Sequence, residues 1–90
     1  MSKISIIQEL VRNGLYYLTE HADVEATYDG VDIYDIEHAI LKGTIRRTWP
    51  KEGKYEIIGN GLDHRMIGIV CRITAGGKVR IITVYEDHLK

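Results

Sequence analysis

The segment RMIGIVCRITAGGKVRIITVYE, residues Arg65–Glu86, predicts the β-hairpin around which the rest of the chain is arranged. Two runs rich in β-branched residues flank the pair Gly76-Gly77. Because glycine readily adopts positive φ angles, this pair favours a two-residue turn in which Ala75 lies opposite Lys78. The turn therefore sets the register of both strands.

One face of this hairpin is predicted to belong to the hydrophobic core. The register places Cys71 opposite Ile82. It also places Ile73 opposite Arg80. The apolar members of the face are Ile67, Ile69, Cys71, Ile73, Ile82 and Val84. Burial of this face is expected to drive folding of the domain.

The opposite face of the hairpin carries groups suited to phosphate. Thr83 is predicted to lie opposite Val70, with Arg72 diagonal to it. Tyr85 is predicted to lie opposite Gly68. An arginine, a threonine hydroxyl and a tyrosine hydroxyl on one sheet surface can bind and orient a phosphate group. The hairpin therefore provides the first candidate site residues, namely Arg72, Thr83 and Tyr85.

Composition and length indicate one globular domain. Ninety residues are enough for a single core, and the domain is predicted to span residues 1–90. A chain with 44% hydrophobic and 28% charged residues is typical of a folded domain rather than a disordered one. No apolar run approaches the roughly 20 residues that a membrane span needs. The single cysteine, Cys71, has no partner for an internal disulfide, so we expect a cytoplasmic protein with no membrane contact.

Helices are predicted before strands. Helix caps are expected at Ser2, Thr19 and Asp32, and the helices end near Gly14, Gly30 and Gly43. Further strands are predicted at about residues 44–49 and 54–59. The expected fold class is α+β, with two or three N-terminal helices packed on one face of a four-stranded antiparallel sheet. The helical part is predicted over about residues 2–43 and the sheet over about 44–86.

Positive charge is concentrated in the second half of a chain whose net charge is −1. The cations between residues 44 and 80 are Arg46, Arg47, Lys51, Lys54, Arg65, Arg72, Lys78 and Arg80. Only three acidic residues accompany them, namely Glu52, Glu56 and Asp63. This imbalance predicts a basic surface that attracts a polyanion. The alternative is that these are ordinary solvated strand residues.

His21 is the candidate acid or base. It falls at the start of the second helix, where the helix N-terminus favours the neutral imidazole. A neutral histidine near an arginine and a tyrosine suits metal-independent RNA cleavage. In that chemistry one group takes the 2′-hydroxyl proton, a cation stabilises the phosphorane and an acid protonates the leaving 5′-oxygen. The alternative is a surface histidine with a local hydrogen bond.

Other chemistries find little support in the sequence. The histidines lack metal-ligand spacing and Cys71 lacks a CxxC partner, so we expect no metal site and no cofactor. The segment Ala75–Lys78 is too short for a P-loop. Trp49 and Tyr55 have rings that can stack on bases, although aromatic residues in strands more often belong to the core. Four tyrosines are expected to pack helices onto the sheet, namely Tyr16, Tyr17, Tyr28 and Tyr34.

The order of several short motifs resembles a known family. These motifs are Thr19-Glu20-His21-Ala22, a helix ending at Lys42-Gly43, Tyr55-x-Ile57-Ile58-Gly59 and Ile82-Thr83-Val84-Tyr85. Together they resemble the bacterial domain-of-unknown-function family numbered 4258, over about residues 18–86. That family resembles the RelE- and barnase-like RNase toxin fold, in which helices precede an antiparallel sheet whose concave face holds the active groups. The resemblance implies functional roles for His21, Thr83 and Tyr85.

One departure from the family pattern bears on activity. Members commonly have an arginine shortly after the His-Ala pair, whereas Ala22 is followed here by Asp23, Val24 and Glu25. Acidic residues would repel a polyanionic substrate. Either one of Arg46, Arg47 and Arg72 supplies the missing cation, or the chain is not a nuclease.

These observations predict a small toxin-like ribonuclease that cleaves RNA by metal-independent acid–base chemistry. The predicted catalytic residues are His21, Arg72, Thr83 and Tyr85, and the predicted substrate-binding residues are Arg46 and Arg47. The resemblance implies an antitoxin-like protein as the neutralising partner. The alternatives are a non-catalytic protein-interaction module, including a homodimer, and a protein that binds single-stranded RNA without cleaving it.

Overall fold

Three helices and five strands form the structure, a computed structural model that describes residues 2–88. In chain order they are α1 (Lys3–Arg12), β1 (Tyr16–Leu18), α2 (Glu20–Tyr28), α3 (Ile33–Lys42), β2 (Thr44–Trp49), β3 (Lys54–Asn60), β4 (Met66–Ile73) and β5 (Val79–Glu86). The predicted α+β class is therefore confirmed. Within residues 2–88, none of the helices combines the length and the apolar character that crossing a membrane requires.

The sheet has five strands in the order β1-β5-β4-β3-β2, and it is mixed rather than wholly antiparallel. Strand β1 pairs in parallel with β5, with Tyr16 beside Val79 and Leu18 beside Ile81. The prediction of four antiparallel strands is wrong in this respect. Strand β1 has three residues and pairs with a strand some sixty residues away, so no hairpin turn in the sequence indicates the pairing. The sequence indicates only that the residues of β1 favour β structure.

The three predicted helix caps are confirmed. The side chains of Ser2 and Thr19 accept hydrogen bonds from Ser5 N and Ala22 N at 3.3 and 3.1 Å. Asp32 and Asp35 form a reciprocal capping box at the start of α3. Each cap satisfies a backbone N–H group that the helix itself leaves unpaired.

The hairpin register differs from the prediction near its turn. Thr74 N donates a hydrogen bond to Lys78 O at 2.8 Å, so the loop has three residues, 75–77. Of these three, Gly77 has a positive φ, at 81°. The register is therefore shifted by one residue at the turn, with Cys71 opposite Ile81 rather than Ile82.

A β-bulge in β5 then restores the predicted register. Ile82 is the extra residue, since the next pair beyond Cys71 and Ile81 is Val70 opposite Thr83. Farther on, Gly68 lies opposite Tyr85, as predicted. The pairing of Ile73 is wrong, because it faces Val79 and not Arg80.

The core lies between one face of the sheet and the helices. Its members are Ile7, Val11, Ala22, Ala26, Val31, Ile36, Ala39, Ile40, Ile57, Ile67, Ile69, Cys71, Val79, Ile81 and Val84. Burial raises the pKa of the Cys71 thiol to about 12, so this cysteine behaves as an apolar core residue. Ile82, predicted to be core, is only half-buried because the bulge displaces it.

Two glycines let α3 approach the sheet closely. A Cβ atom on Gly59 would overlap the carbonyl oxygen of Ala39 in α3. A Cβ atom on Gly43 would lie 2.5 Å from the carbonyl oxygen of Ile58. Since backbone atoms limit both sites, α3 and β3 pack at a distance that only glycine permits.

Tyrosines contribute less to helix packing than predicted. Tyr16 is half-buried and donates a hydrogen bond to Glu37 of α3. Tyr28 is 89% exposed, and Tyr17 and Tyr34 are also exposed. The prediction that these three pack helices onto the sheet is wrong. Both Tyr28 and Tyr34 lie on helix faces that point away from the core, so their side chains are exposed to solvent.

Candidate functional site

The side of the sheet that the helices leave uncovered holds the candidate site. Buried residues such as Ile57 and Ile69 alternate along their strands with residues that point to this other side, which we call the open face. Glu56, Val70 and Tyr85 belong to the open face. A groove or site on this face is built from strand residues, whose positions the sheet fixes.

Arg46, Glu56 and Tyr85 form a hydrogen-bonded cluster on the open face. Arg46 Nη2 donates to Glu56 Oε2 at 2.7 Å and to Tyr85 Oη at 2.5 Å. The Tyr85 hydroxyl also donates to Glu56 Oε2. Arg46 Nη1 reaches Asp87 Oδ2 at 2.7 Å. We call Arg46, Glu56, Tyr85 and Asp87 the carboxylate cluster.

A second β-bulge and a glycine build the cluster. The register of β2 against β3 shifts between Ile45 and Arg47, so Arg46 is the extra residue and lies beside Glu56. On β4, Gly68 lies opposite Tyr85, and a Cβ atom there would overlap the tyrosine ring. The ring therefore lies across the bare backbone of Gly68, which brings its hydroxyl to Glu56.

The Glu56 carboxylate is ionised although it is only 5% exposed. Burial alone would raise its pKa. The hydrogen bonds from Tyr85 and Arg46 and the charges of Arg46 and Arg47 outweigh burial, so the pKa lies below its ordinary value of 4.5. The site thus holds a buried negative charge at neutral pH.

Tyr85 remains a protonated phenol over a wide pH range. Burial and the hydrogen bond to the Glu56 carboxylate raise its pKa to about 12. The pKa of Arg46 is also raised, first by its hydrogen bonds to Glu56 and Asp87. At pH 7 the cluster therefore consists of a cation, a neutral hydroxyl and two carboxylates.

Acid should destabilise the protein partly through Glu56. A carboxyl whose pKa is lowered by folding stabilises the native state above its unfolded pKa, and this contribution is lost as pH falls through the folded pKa. We therefore expect the stability difference between wild type and Glu56→Gln to be constant from pH 7 to about 5 and to shrink below the ordinary pKa of 4.5. Urea unfolding at a series of pH values measures it, and a pH-independent difference would contradict the assignment.

His21 lies at the start of α2, as predicted, and its side chain is 69% exposed. Its Nε2 atom is 3.1 Å from Glu25 Oε2, while Glu25 Oε1 accepts a hydrogen bond from Val84 N at 3.1 Å. One carboxylate therefore links the imidazole to the backbone of β5, beside Tyr85. The partner that the structure gives His21 is Glu25, so a shared site of His21 with Arg72 and Tyr85 stays a prediction.

The acidic residues of α2 have a structural task. Strand β1 ends at Leu18, opposite Ile81, so within residues 2–88 no strand pairs with the outer edge of β5 beyond Ile81. There Glu25 of α2 accepts a hydrogen bond from Val84 N at 3.1 Å, and Asp29, the C-cap residue just after α2, accepts one from Glu86 N at 3.3 Å. These carboxylates close a strand edge. Glu25, one of the two acidic residues that follow the His-Ala pair, is therefore used for folding.

The other predicted site residues are distributed along the open face. Thr83 is half-buried opposite Val70, and Arg72 is exposed two residues farther along β4, diagonal to Thr83 as predicted. Arg47 Nε lies 3.7 Å from Glu56 Oε1 and is largely exposed. Of the predicted residues, the structure joins Arg46 and Tyr85 by a direct hydrogen bond.

Glu56 was missed as a site residue. The sequence Lys54-Tyr55-Glu56-Ile57 alternates polar and apolar positions, which is ordinary for a strand with one wet face. Its partner Arg46 lies across a hairpin in which the bulge hides the pairing. The sequence did contain one indication of the site, since Glu56 lies between Tyr55 and Ile57 and the preceding strand contains Arg46-Arg47.

Residues 18–86 match the family described as Domain of unknown function (DUF4258). The matched range contains His21, Arg46, Glu56 and Tyr85, and ends one residue before Asp87. No curated protein and no solved structure matches the sequence. The similarity to the RelE- and barnase-like toxin fold stays a prediction. Because the match covers more than half of the chain, the protein belongs to the DUF4258 family.

Proposed function

We propose that the protein is a metal-independent ribonuclease that acts on the open face of its sheet. The observation that carries the proposal is the buried, ionised Glu56 carboxylate, held against two arginines and a tyrosine on an uncovered sheet surface. Perturbed titratable groups that converge in this way are typical of acid–base sites. Their side chains supply the three kinds of group that RNA cleavage needs.

Glu56 is the proposed base. It accepts the proton of the 2′-hydroxyl, whose oxygen attacks the adjacent phosphorus. The bond from phosphorus to the 5′-oxygen breaks, which leaves a 2′,3′-cyclic phosphate on one product and a 5′-hydroxyl on the other. Tyr85 or His21 supplies the proton to the leaving oxygen. Arg46 stabilises the negative charge of the phosphorane.

Substrate binding would itself prepare the base. In the free protein, hydrogen bonds from Arg46 and Tyr85 lower the pKa of Glu56. A phosphate that takes over the guanidinium of Arg46 removes part of this stabilisation, so the carboxylate becomes a stronger base at the moment that it is needed. The predicted phosphate contact of Arg46 and the basicity of Glu56 are then coupled.

Glu56→Gln is expected to lower the cleavage rate about 100-fold or more, because an amide cannot accept the proton. The assay incubates purified protein with mixed RNA in EDTA and follows the cyclic-phosphate products. Glu9→Gln is the matched control, since this exposed carboxylate lies on α1 and away from the open face. His21→Ala and Tyr85→Phe identify the proton donor. Intact RNA with wild-type protein, or equal rates for both glutamine variants, would contradict the proposal.

One observation favours the alternative of a protein-interaction module. Val24 and Tyr28 are 61% and 89% exposed on one side of α2, where they border a depression of about 290 Å³ next to Tyr85. Exposed apolar side chains beside a concavity suit a protein partner or a second copy. Intact RNA together with a dimer that Tyr28→Asp dissociates would favour this function over the ribonuclease.

A further inference from the structure

A single row of side chains crosses all five strands of the open face. Register pairs Trp49 with Lys54, Lys54 with Arg72, Arg72 with Arg80, and Arg80 with Tyr17. Directly paired residues point to the same side of a sheet. The row therefore has an aromatic ring at each end and three adjacent cations between them, and we call it the cross-sheet row.

The cations of the row repel one another in the free protein. Like charges directly opposite in a sheet are destabilising. Lys54 has an acidic partner, Glu52, at 3.0 Å. Within residues 2–88, neither Arg72 nor Arg80 has a hydrogen-bond or ion-pair partner. A bound anion that neutralises Arg72 and Arg80 would therefore relieve the repulsion between them.

A groove gives such an anion room. It has a volume of about 410 Å³ and is lined by Lys51, Glu52, Lys54, Arg72, Arg80 and Ile82. Four cations and one carboxylate border it, whereas Arg46 in the carboxylate cluster is balanced by Glu56 and Asp87. Cations thus outnumber carboxylates around the groove, whereas charges of the two signs are paired in the carboxylate cluster.

The aromatic ends distinguish a nucleic acid from a simple anion. Trp49 has the cationic groups of Arg47 and Lys54 over its ring at 5.6 and 5.5 Å from the centroid. Tyr17 is 42% exposed at the opposite edge. Bases stack on aromatic rings while backbone phosphates lie on cations. In a duplex the bases are stacked inside, so the arrangement fits a single strand.

We propose that the cross-sheet row binds single-stranded RNA, with phosphates on Lys54, Arg72 and Arg80 and bases on Trp49 and Tyr17. The choice of RNA rests on the proposed function. Lys54 is two residues from Glu56 on the same face of β3, a separation of about 7 Å. A strand held by the row therefore passes next to the carboxylate that accepts the 2′-hydroxyl proton.

Binding is tested apart from cleavage with a labelled 2′-O-methyl oligouridine of about ten nucleotides, which has no 2′-hydroxyl to react. We expect the double variant Arg72→Gln/Arg80→Gln to bind about tenfold more weakly, because two phosphate contacts are lost. The slope of log K against log salt should become less steep by about 1.4, or 0.7 for each lost phosphate contact. The matched control is Arg12→Gln/Lys42→Gln, which removes the same charge from exposed positions on helices α1 and α3.

Tryptophan fluorescence provides a second measurement, because Trp49 is the single tryptophan of the chain. Stacking of a base on its ring should quench the emission as the oligonucleotide is added. The proposal would be overturned if both double variants lost the same affinity or if the tryptophan emission were not quenched. It would also be overturned if duplex RNA bound as tightly as the single strand, or if polyglutamate competed as well as RNA. If the protein binds the oligonucleotide and its emission is quenched, but natural RNA is not cleaved, then only the proposed ribonuclease activity is refuted. If natural RNA is cleaved but these binding effects are missing, then only the proposed binding by the cross-sheet row is refuted.

Discussion

Replacement of Gly59 by alanine should destabilise the protein by about 3 kcal/mol. The added Cβ atom would overlap the carbonyl oxygen of Ala39 and lie 3.0 Å from Gly43 Cα. These are backbone atoms, so relief requires α3 or β3 to move as a unit, which disturbs the packing of the core between them. A domain of this size has a total stability of about 5 to 13 kcal/mol. Chemical unfolding by urea, followed by circular dichroism, measures the loss.

Gly76→Ala is the matched control for this prediction. Gly76 lies in the hairpin loop without a positive φ, and the nearest atom to an added Cβ is Thr74 Oγ1 at 3.9 Å. The same chemical change should there be neutral or stabilise the protein by up to about 1 kcal/mol, because alanine restricts the unfolded chain. Similar stabilities of the two variants would show that α3 does not depend on the glycine contact.

Local signals in the sequence were sufficient for most of the fold. Capping at Ser2, Thr19 and Asp32 depends on side chains and backbone groups within a few residues of each other, and it was predicted correctly. The hairpin turn is also local, but both a two-residue and a three-residue loop accept Gly76-Gly77. The sequence alone does not reveal that the bulge at Ile82 compensates for the longer loop.

Non-local pairings account for what the sequence did not reveal. Strand β1 pairs in parallel with β5, more than sixty residues later in the sequence. No turn connects the two strands directly, so no turn motif predicts this pairing. Glu56 meets Arg46 only because a bulge shifts β2. Tyr85 shares the open face with Arg72, as predicted, because Gly68 lies opposite Tyr85 and alternation along β4 puts Arg72 on the same side as Gly68.

The two charged regions of the open face differ in whether their positive charges are paired with carboxylates. In the carboxylate cluster, cations and carboxylates balance one another, and the groups are hydrogen-bonded to each other. In the cross-sheet row, Arg72 lies opposite Arg80, and no carboxylate of residues 2–88 forms an ion pair with either of them. Balanced charge in a buried site is compatible with folding and with proton transfer, whereas unbalanced charge at the surface is compatible with binding a polyanion. The proposed roles of catalysis and binding follow this division.

Arg46→Met should lower the free energy of unfolding by about 2 to 3 kcal/mol at pH 7, even without any substrate. Methionine fills a similar space but leaves the Glu56 carboxylate buried with Tyr85 and a more distant Arg47, and a buried charge without its partner is costly. The corresponding fall in Tm is about 10 to 20 °C. Arg47→Met is the control. Arg47 is 63% exposed and lies 3.7 Å from Glu56, so its loss should cost no more than about 1 kcal/mol.

The double variant Arg46→Met/Glu56→Gln separates the charge effect from lost packing. A neutral glutamine no longer needs the guanidinium, so the double variant should be more stable than the sum of the two single losses by about 1 to 2 kcal/mol. Additive losses would mean that Arg46 stabilises the sheet through its aliphatic part or through Asp87 rather than by pairing with Glu56. The lowered pKa of Glu56 would then lose its main cationic cause, and with it the coupling between phosphate binding and basicity that the proposed mechanism requires.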